Sequence, residues 1–117
     1  MIHVSSGGAS LKASIPLGPG YQLPLAQRVR RETGIATRAV GLIADPHQAE
    51  RVVASGDADM VAMARAFLDN PRWVWHAAEA LGASVPYPVQ YLRTRADLWP
   101  GAKIARPRPS AADIAAQ

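Results

Sequence analysis

Apolar positions along the chain fall into short runs whose period changes from one stretch to the next. In "IHVSSGG", Ile2 and Val4 flank His3 before Ser5, Ser6, Gly7 and Gly8 break the alternation, which predicts a strand. "ASLKASIPLGPGYQ" follows as a long loop punctuated by Pro16, Gly18, Pro19 and Gly20. From Leu23 the spacing becomes helical. Pro24 suits a first turn, Leu25, Ala26 and Val29 share a face, and Gly34 suits the stop.

"IATRAVGLI" (Ile35 to Ile43) is the next predicted strand, ending around Gly41. "ADPHQAERVVASG" then predicts a short helix, with Asp45 as N-cap, Pro46 in the first turn, Gln48 placed for a capping box and Gly56 as the stop. Its inward stripe is Ala49, Val52 and Val53. Ala58 to Ala64 reads as a short buried strand, and Arg65 to Asp69 as a helical turn. Asn70-Pro71 restarts a helix in which Val74, Ala77, Ala78 and Leu81 repeat at i, i+3, i+4 and i+7, up to Gly82. The proline-rich remainder predicts extended chain, with a loosely ordered tail over 94–117 after a domain over 1–93.

Strands alternating with helices imply parallel βαβ units with right-handed crossovers, an α/β fold. Three units are fewer than the eight that close a (β/α)8 barrel of about 250 residues. The pattern therefore predicts part of a larger assembly.

Composition changes this picture little. The 117 residues, 49% hydrophobic and 19% charged, suit a globular chain, and no run approaches the ~18 apolar residues of a membrane span. The absence of cysteine excludes disulfides and thiolate metal sites, and with no visible secretory leader it sets a cytoplasmic expectation. The net charge of +4 invites a nucleic-acid reading. Its distribution argues against one: residues 1 to 93 hold nine Lys/Arg against seven Asp/Glu, residues 94 to 117 four against two, with no basic block. His3, His47 and His76 lack metal-ligand spacing, so no metal site is expected. Ser5 and Ser6 lack a nucleophile elbow, and "GPG" follows no strand, so neither a hydrolase nor a dinucleotide fingerprint is indicated. Trp73, Trp75 and Trp99 read as packing or interface residues.

The candidate chemistry lies where the predicted strands end, since parallel α/β architectures bind ligands there. Gly41 allows close backbone approach, and the turn opening at Ala64-Arg65 offers free N–H groups beside a guanidinium, the makings of a phosphate site. Arg65 has an equally plain alternative, a helix-start arginine paired with Asp59 or Asp69. The residues alone leave both open.

Taken together, "VSSGG", "PGYQ", "AVGLI", "ADMVAMAR.FL.NP" and "P.PVQY.R", in this order from Ile2 to Arg93, resemble the C-terminal part of the Old Yellow Enzyme family, closest to its bacterial ene-reductase subgroup of NADPH dehydrogenases and NADH:flavin oxidoreductases. The resemblance implies an FMN-binding (β/α)8 TIM barrel whose sixth to eighth strands lie here, with the FMN phosphate held by Val40, Gly41, Ala64 and Arg65. It implies NADPH or NADH as reductant and an activated alkene as small-molecule substrate. It also implies a homo-oligomer in which Arg93, near Gln90 and Tyr91, reaches a neighbouring subunit's active site as an arginine finger, the plain alternative being a solvated arginine before the tail. No other catalytic residue is expected, because the family's substrate-anchoring His pair or His/Asn pair, proton-donating Tyr and isoalloxazine loop belong to its N-terminal part. Three positions depart from the family pattern: His3 replaces an acidic residue, Arg38 a small one, and Ala64 a glycine. Arg38 must then point out of the barrel or toward the cofactor. The chain is thus expected to be the C-terminal part of such an FMN-dependent oxidoreductase, or else a non-catalytic α/β fragment that self-assembles or complements a missing N-terminal half.

Overall fold

The computed structural model describes residues 1–6, 12 and 14–106. Gly7 and Gly8 of the "VSSGG" motif and the tail beyond Arg106 lie outside the described residues. Two compact units divide the chain, Met1–Pro71 and Arg72–Gln117.

The first unit is built on three parallel strands in the order β1 (Ile2–Val4), β2 (Thr37–Ala39) and β3 (Met60–Val61), joined by α1 (Leu23–Thr33) and α2 (Pro46–Ala54). Each step moves to the next strand in the same direction. Right-handed crossovers therefore put α1 and α2 on one face of the sheet, as in a barrel wall and unlike a doubly wound sheet. Thr37 and Ala39 are fully buried on that face, beneath helices that bury Ala26, Ala49 and Val52. Arg38, between them, points to the opposite face by strand alternation, in register with His3 on one side and Met60 on the other.

The helix boundaries follow from the signals in the sequence. Pro24 sits in the first turn of α1, and Gly34 ends it in the left-handed region at φ 67°. Asp45 caps α2, its Oδ1 accepting the Gln48 N–H at 2.8 Å. A short helix α3 (Arg65–Asp69) follows β3.

The strands are shorter than their apolar runs. The run from Ile35 to Ile43 yields three strand residues, because Gly41 at φ 117° and Leu42 at φ 50° turn the chain out of the ladder. The run from Ala58 to Ala64 yields two, limited by the length of β2 beside it. Leu25 and Val53, predicted to face inward, are exposed.

The second unit contains α4 (Trp73–Ala80), a 3-10 helix (Val89–Thr94) and α5 (Ala102–Ala105). Ala77 and Ala78 are buried on α4, while Val74 at the same helical phase is exposed. The segment after Gly82 is not simply extended: a 3-10 helix begins directly after Pro88, and α5 buries Ala102. Arg93 and the described residues after it therefore belong to one compact unit with α4. Among the described residues no helix is long and apolar enough to cross a membrane.

Candidate functional site

At the C-terminal ends of β2 and β3 the first unit holds a cavity of about 400 Å³, a size usual for a small-molecule site. Val40, Gly41, Ala64 and Arg65 all line it. The four phosphate-site candidates, two adjacent pairs more than twenty residues apart in sequence, thus line one cavity. Sequence periodicity had no means of adding Leu17, Tyr21 and Gln22, which line it from the loop before α1.

Arg65 opens α3, whose first backbone N–H groups have no intrahelical acceptor and no side-chain cap. Neither proposed carboxylate partner engages its guanidinium. Asp59 is taken by Arg30, whose Nε and Nη2 donate to it at 3.0 and 3.1 Å, and it also accepts the Thr37 N–H at 2.9 Å. These donors hold the Asp59 carboxyl below the usual carboxylate range, the Arg30 bond being the largest cause. Asp69 lines the same cavity but forms no ion pair with Arg65. Among the described residues Arg65 is an exposed cation without an ionic partner. Ala64 adopts φ −116° and ψ −72°, a conformation open to any L-residue, so the methyl group in place of a glycine creates no backbone conflict.

Gly41 also packs tightly against the loop before α1. A Cβ there would lie 3.0 Å from Tyr21 Cε1 and 3.2 Å from Gln22 Cγ, so the close approach it permits is to its own chain. The Gly41 carbonyl accepts the Gly20 N–H at 2.8 Å. Gln22, almost fully buried, accepts the Ser6 N–H through Oε1 and donates through Nε2 to the Tyr21 hydroxyl at 2.7 Å. One amide side chain therefore ties the end of β1 to the cavity wall. The signal was present as "PGYQ", but nothing in periodicity assigns a buried amide to that role. The backbone here is strained as well: Leu42, with a branched side chain at φ 50°, sits where only glycine is comfortable, as backbones at binding sites often do.

Arg38 donates from Nε to His3 Nδ1 at 3.0 Å, pairing two of the three positions that depart from the family pattern. It points neither out through the helices nor into the cavity lining, but across the sheet face opposite α1 and α2.

The second unit carries Arg93, exposed near the end of the 3-10 helix beside Tyr91. Trp75 packs edge-on against Tyr87 at 4.5 Å and near Tyr91 at 5.4 Å, with the Arg72 guanidinium 4.7 Å over Tyr91. Arg106 donates to Glu79 Oε1 at 3.1 Å and to the Thr94 carbonyl at 3.0 Å, and Tyr87 donates to the same carboxylate at 2.9 Å. Burial, reinforced by the Arg106 charge, pushes the His76 imidazole below its ordinary value. Trp75 is thus a packing residue. Among the described residues no three His, Cys, Asp or Glu side chains are grouped to hold a metal ion.

The model of the NADH:flavin oxidoreductase / NADH oxidase family matches residues 10–83, most of this chain and both sides of the cavity. The chain belongs to that family. It is 50% identical over 93 residues to the NADPH dehydrogenase of Geobacillus thermodenitrificans, covering 80% of this chain and 27% of that relative. Against the NADPH dehydrogenase of Halalkalibacterium halodurans the identity is 48% over 88 residues, and against that of Listeria innocua 43% over 93. The chain spans about a quarter of the length of the curated relatives it matches. Its α/β architecture, three parallel strands with helices on one face, is part of the barrel such proteins form.

Proposed function

We propose that this chain is the phosphate-anchoring part of an FMN-dependent NAD(P)H oxidoreductase of the ene-reductase type, corresponding to strands six to eight of its barrel. The observation that carries this reading is Arg65: an exposed guanidinium without an ionic partner among the described residues, lining one cavity with Val40, Gly41 and Ala64. Backbone amides at Val40-Gly41 and at the start of α3 supply shape, and Arg65 supplies charge and paired donors, the combination a phosphate dianion calls for. Tyr21 and Gln22 close one side. Flavin, when bound, supplies the hydride chemistry between NAD(P)H and an activated alkene. In the complete enzyme, Arg93 reaches the active site of a neighbouring subunit.

The test is an FMN titration of the purified chain followed by flavin fluorescence, repeated with the remaining part of a relative's barrel added as a separate polypeptide. Saturable binding is expected, weakened about tenfold to a hundredfold by Arg65→Ala, the range for losing hydrogen bonds from a charged donor. Equal binding by the variant would sink the phosphate role.

A second reading, a non-catalytic α/β piece that self-associates, is favoured by the sheet's open edges and by exposed Ile2, Met60, Phe67 and Leu68. A colourless oligomer on purification supports it; a yellow protein supports the first.

A further inference from the structure

The sheet face opposite α1 and α2 carries His3, Arg38 and Met60 side by side, one from each strand. In a closed barrel this face is interior, filled by layers of side chains. An arginine there is costly unless its charge is matched and its donors are satisfied. Here only Nε is used, on the Nδ1 of His3, which brings no negative charge. Among the described residues the two terminal amino groups of Arg38 have no acceptor. Arg38 is half-buried at the centre of the sheet, with a strand on either side, and closing a barrel over this face would take its guanidinium out of water.

We infer that the polypeptide completing this sheet presents a carboxylate to Arg38 across the barrel interior, so that the His3–Arg38 pair selects which polypeptide can complete it. The inference rests on the barrel reading proposed above and names the chemistry of the partner that reading requires. An Asp or Glu fits because it accepts two parallel N–H bonds from the guanidinium and cancels its charge. The planar fork leaves its two terminal nitrogens free for that geometry, with Nε already committed. A second copy of this chain is the poorer occupant: laid face to face across a twofold axis, it would set Arg38 against Arg38.

The test uses the full 117-residue chain as bait. Its probe is the part of the Geobacillus thermodenitrificans NADPH dehydrogenase outside the matched region, expressed separately with its inward-facing strand positions randomised. Capture by the wild-type chain should enrich Asp or Glu at one or two of those positions by about tenfold or more, the order of a close buried charge pair. Arg38→Lys should keep the preference and Arg38→Met should abolish it. Capture without acidic enrichment, or the same enrichment with Arg38→Met, overturns the inference while leaving the barrel reading in place. Self-association of the bait through this face, unchanged in Arg38→Met, also overturns it. No capture by the wild type, by Arg38→Met or by the double variant His3→Asp/Arg38→Gly overturns the barrel-completion reading itself.

Discussion

At the scale of single residues, the cavity wall depends on positions where ordinary side chains do not fit. Gly41 combines φ 117° with ring atoms of Tyr21 3.0 Å from where a Cβ would stand. Gly41→Ala should therefore destabilise the first unit by about 1–3 kcal/mol, and pairing it with Tyr21→Ala should recover only the steric share. Urea unfolding of the single and double variants checks both statements. Thr37 tests the opposite sign. It is fully buried and its Oγ1 has no hydrogen-bond partner among the described residues, so the hydroxyl was desolvated with nothing gained in return. Thr37→Val keeps the shape and removes the unsatisfied group, and should leave stability unchanged or raise it by about 1 kcal/mol. A loss above that would mean the hydroxyl finds a partner in the working protein.

Among the elements, the clamp between α1 and the start of β3 sets an acid limit. Arg30 on α1 grips Asp59, which also holds the Thr37 amide of β2, so one carboxylate joins three elements. Its folded pKa lies below the unfolded value near 3.8. The folded state thus binds fewer protons, and the contribution is complete above that pH and lost as pH falls through the folded value. The protection of the Thr37 amide, its exchange rate measured against the intrinsic rate at the same pH, should fall below about pH 4, and Asp59→Asn should show low protection already at neutral pH with little further acid dependence. How much of this the sequence disclosed varies with the element. Caps were legible, because Asp45, Pro46 and the glycine stops act through backbone bonds within a few residues. The meeting of Val40, Gly41, Ala64 and Arg65 was legible through strand ends and family motifs. Strand lengths were not, since a ladder ends where its neighbour ends. Nor were Gln22 and the Arg30–Asp59 clamp, because long-range polar pairs leave no period in a sequence. The Arg106 bonds to Glu79 and Thr94 O, in a stretch whose prolines suggested a loose tail, were hidden for the same reason.

For the molecule as a whole, the decisive quantity is what its interior is made of. Of nine buried apolar residues among those described, seven are alanine, the others being Ile43 and Val52, while Phe67, Leu68, Met60 and Trp99 remain exposed. Large apolar side chains contribute about 1.5–3 kcal/mol each when fully buried, and alanine far less, so this chain by itself holds little of the usual driving force for folding. The exposed apolar set and the open edges β1 and β3 are what a larger barrel would cover. Two measurable quantities follow together. The urea m-value of the isolated chain should fall at or below the low end of the usual range, about 1 kcal/mol per molar, because unfolding exposes little new surface. Adding the remaining part of a relative's barrel at about a hundredfold above its dissociation constant should raise stability by about 2.7 kcal/mol by mass action, with a larger m-value as the bare face becomes buried. If the isolated chain instead unfolds with a full-sized m-value and a midpoint that rises with its own concentration, its apolar surface is covered by another copy of itself. Self-association would then take precedence over barrel completion.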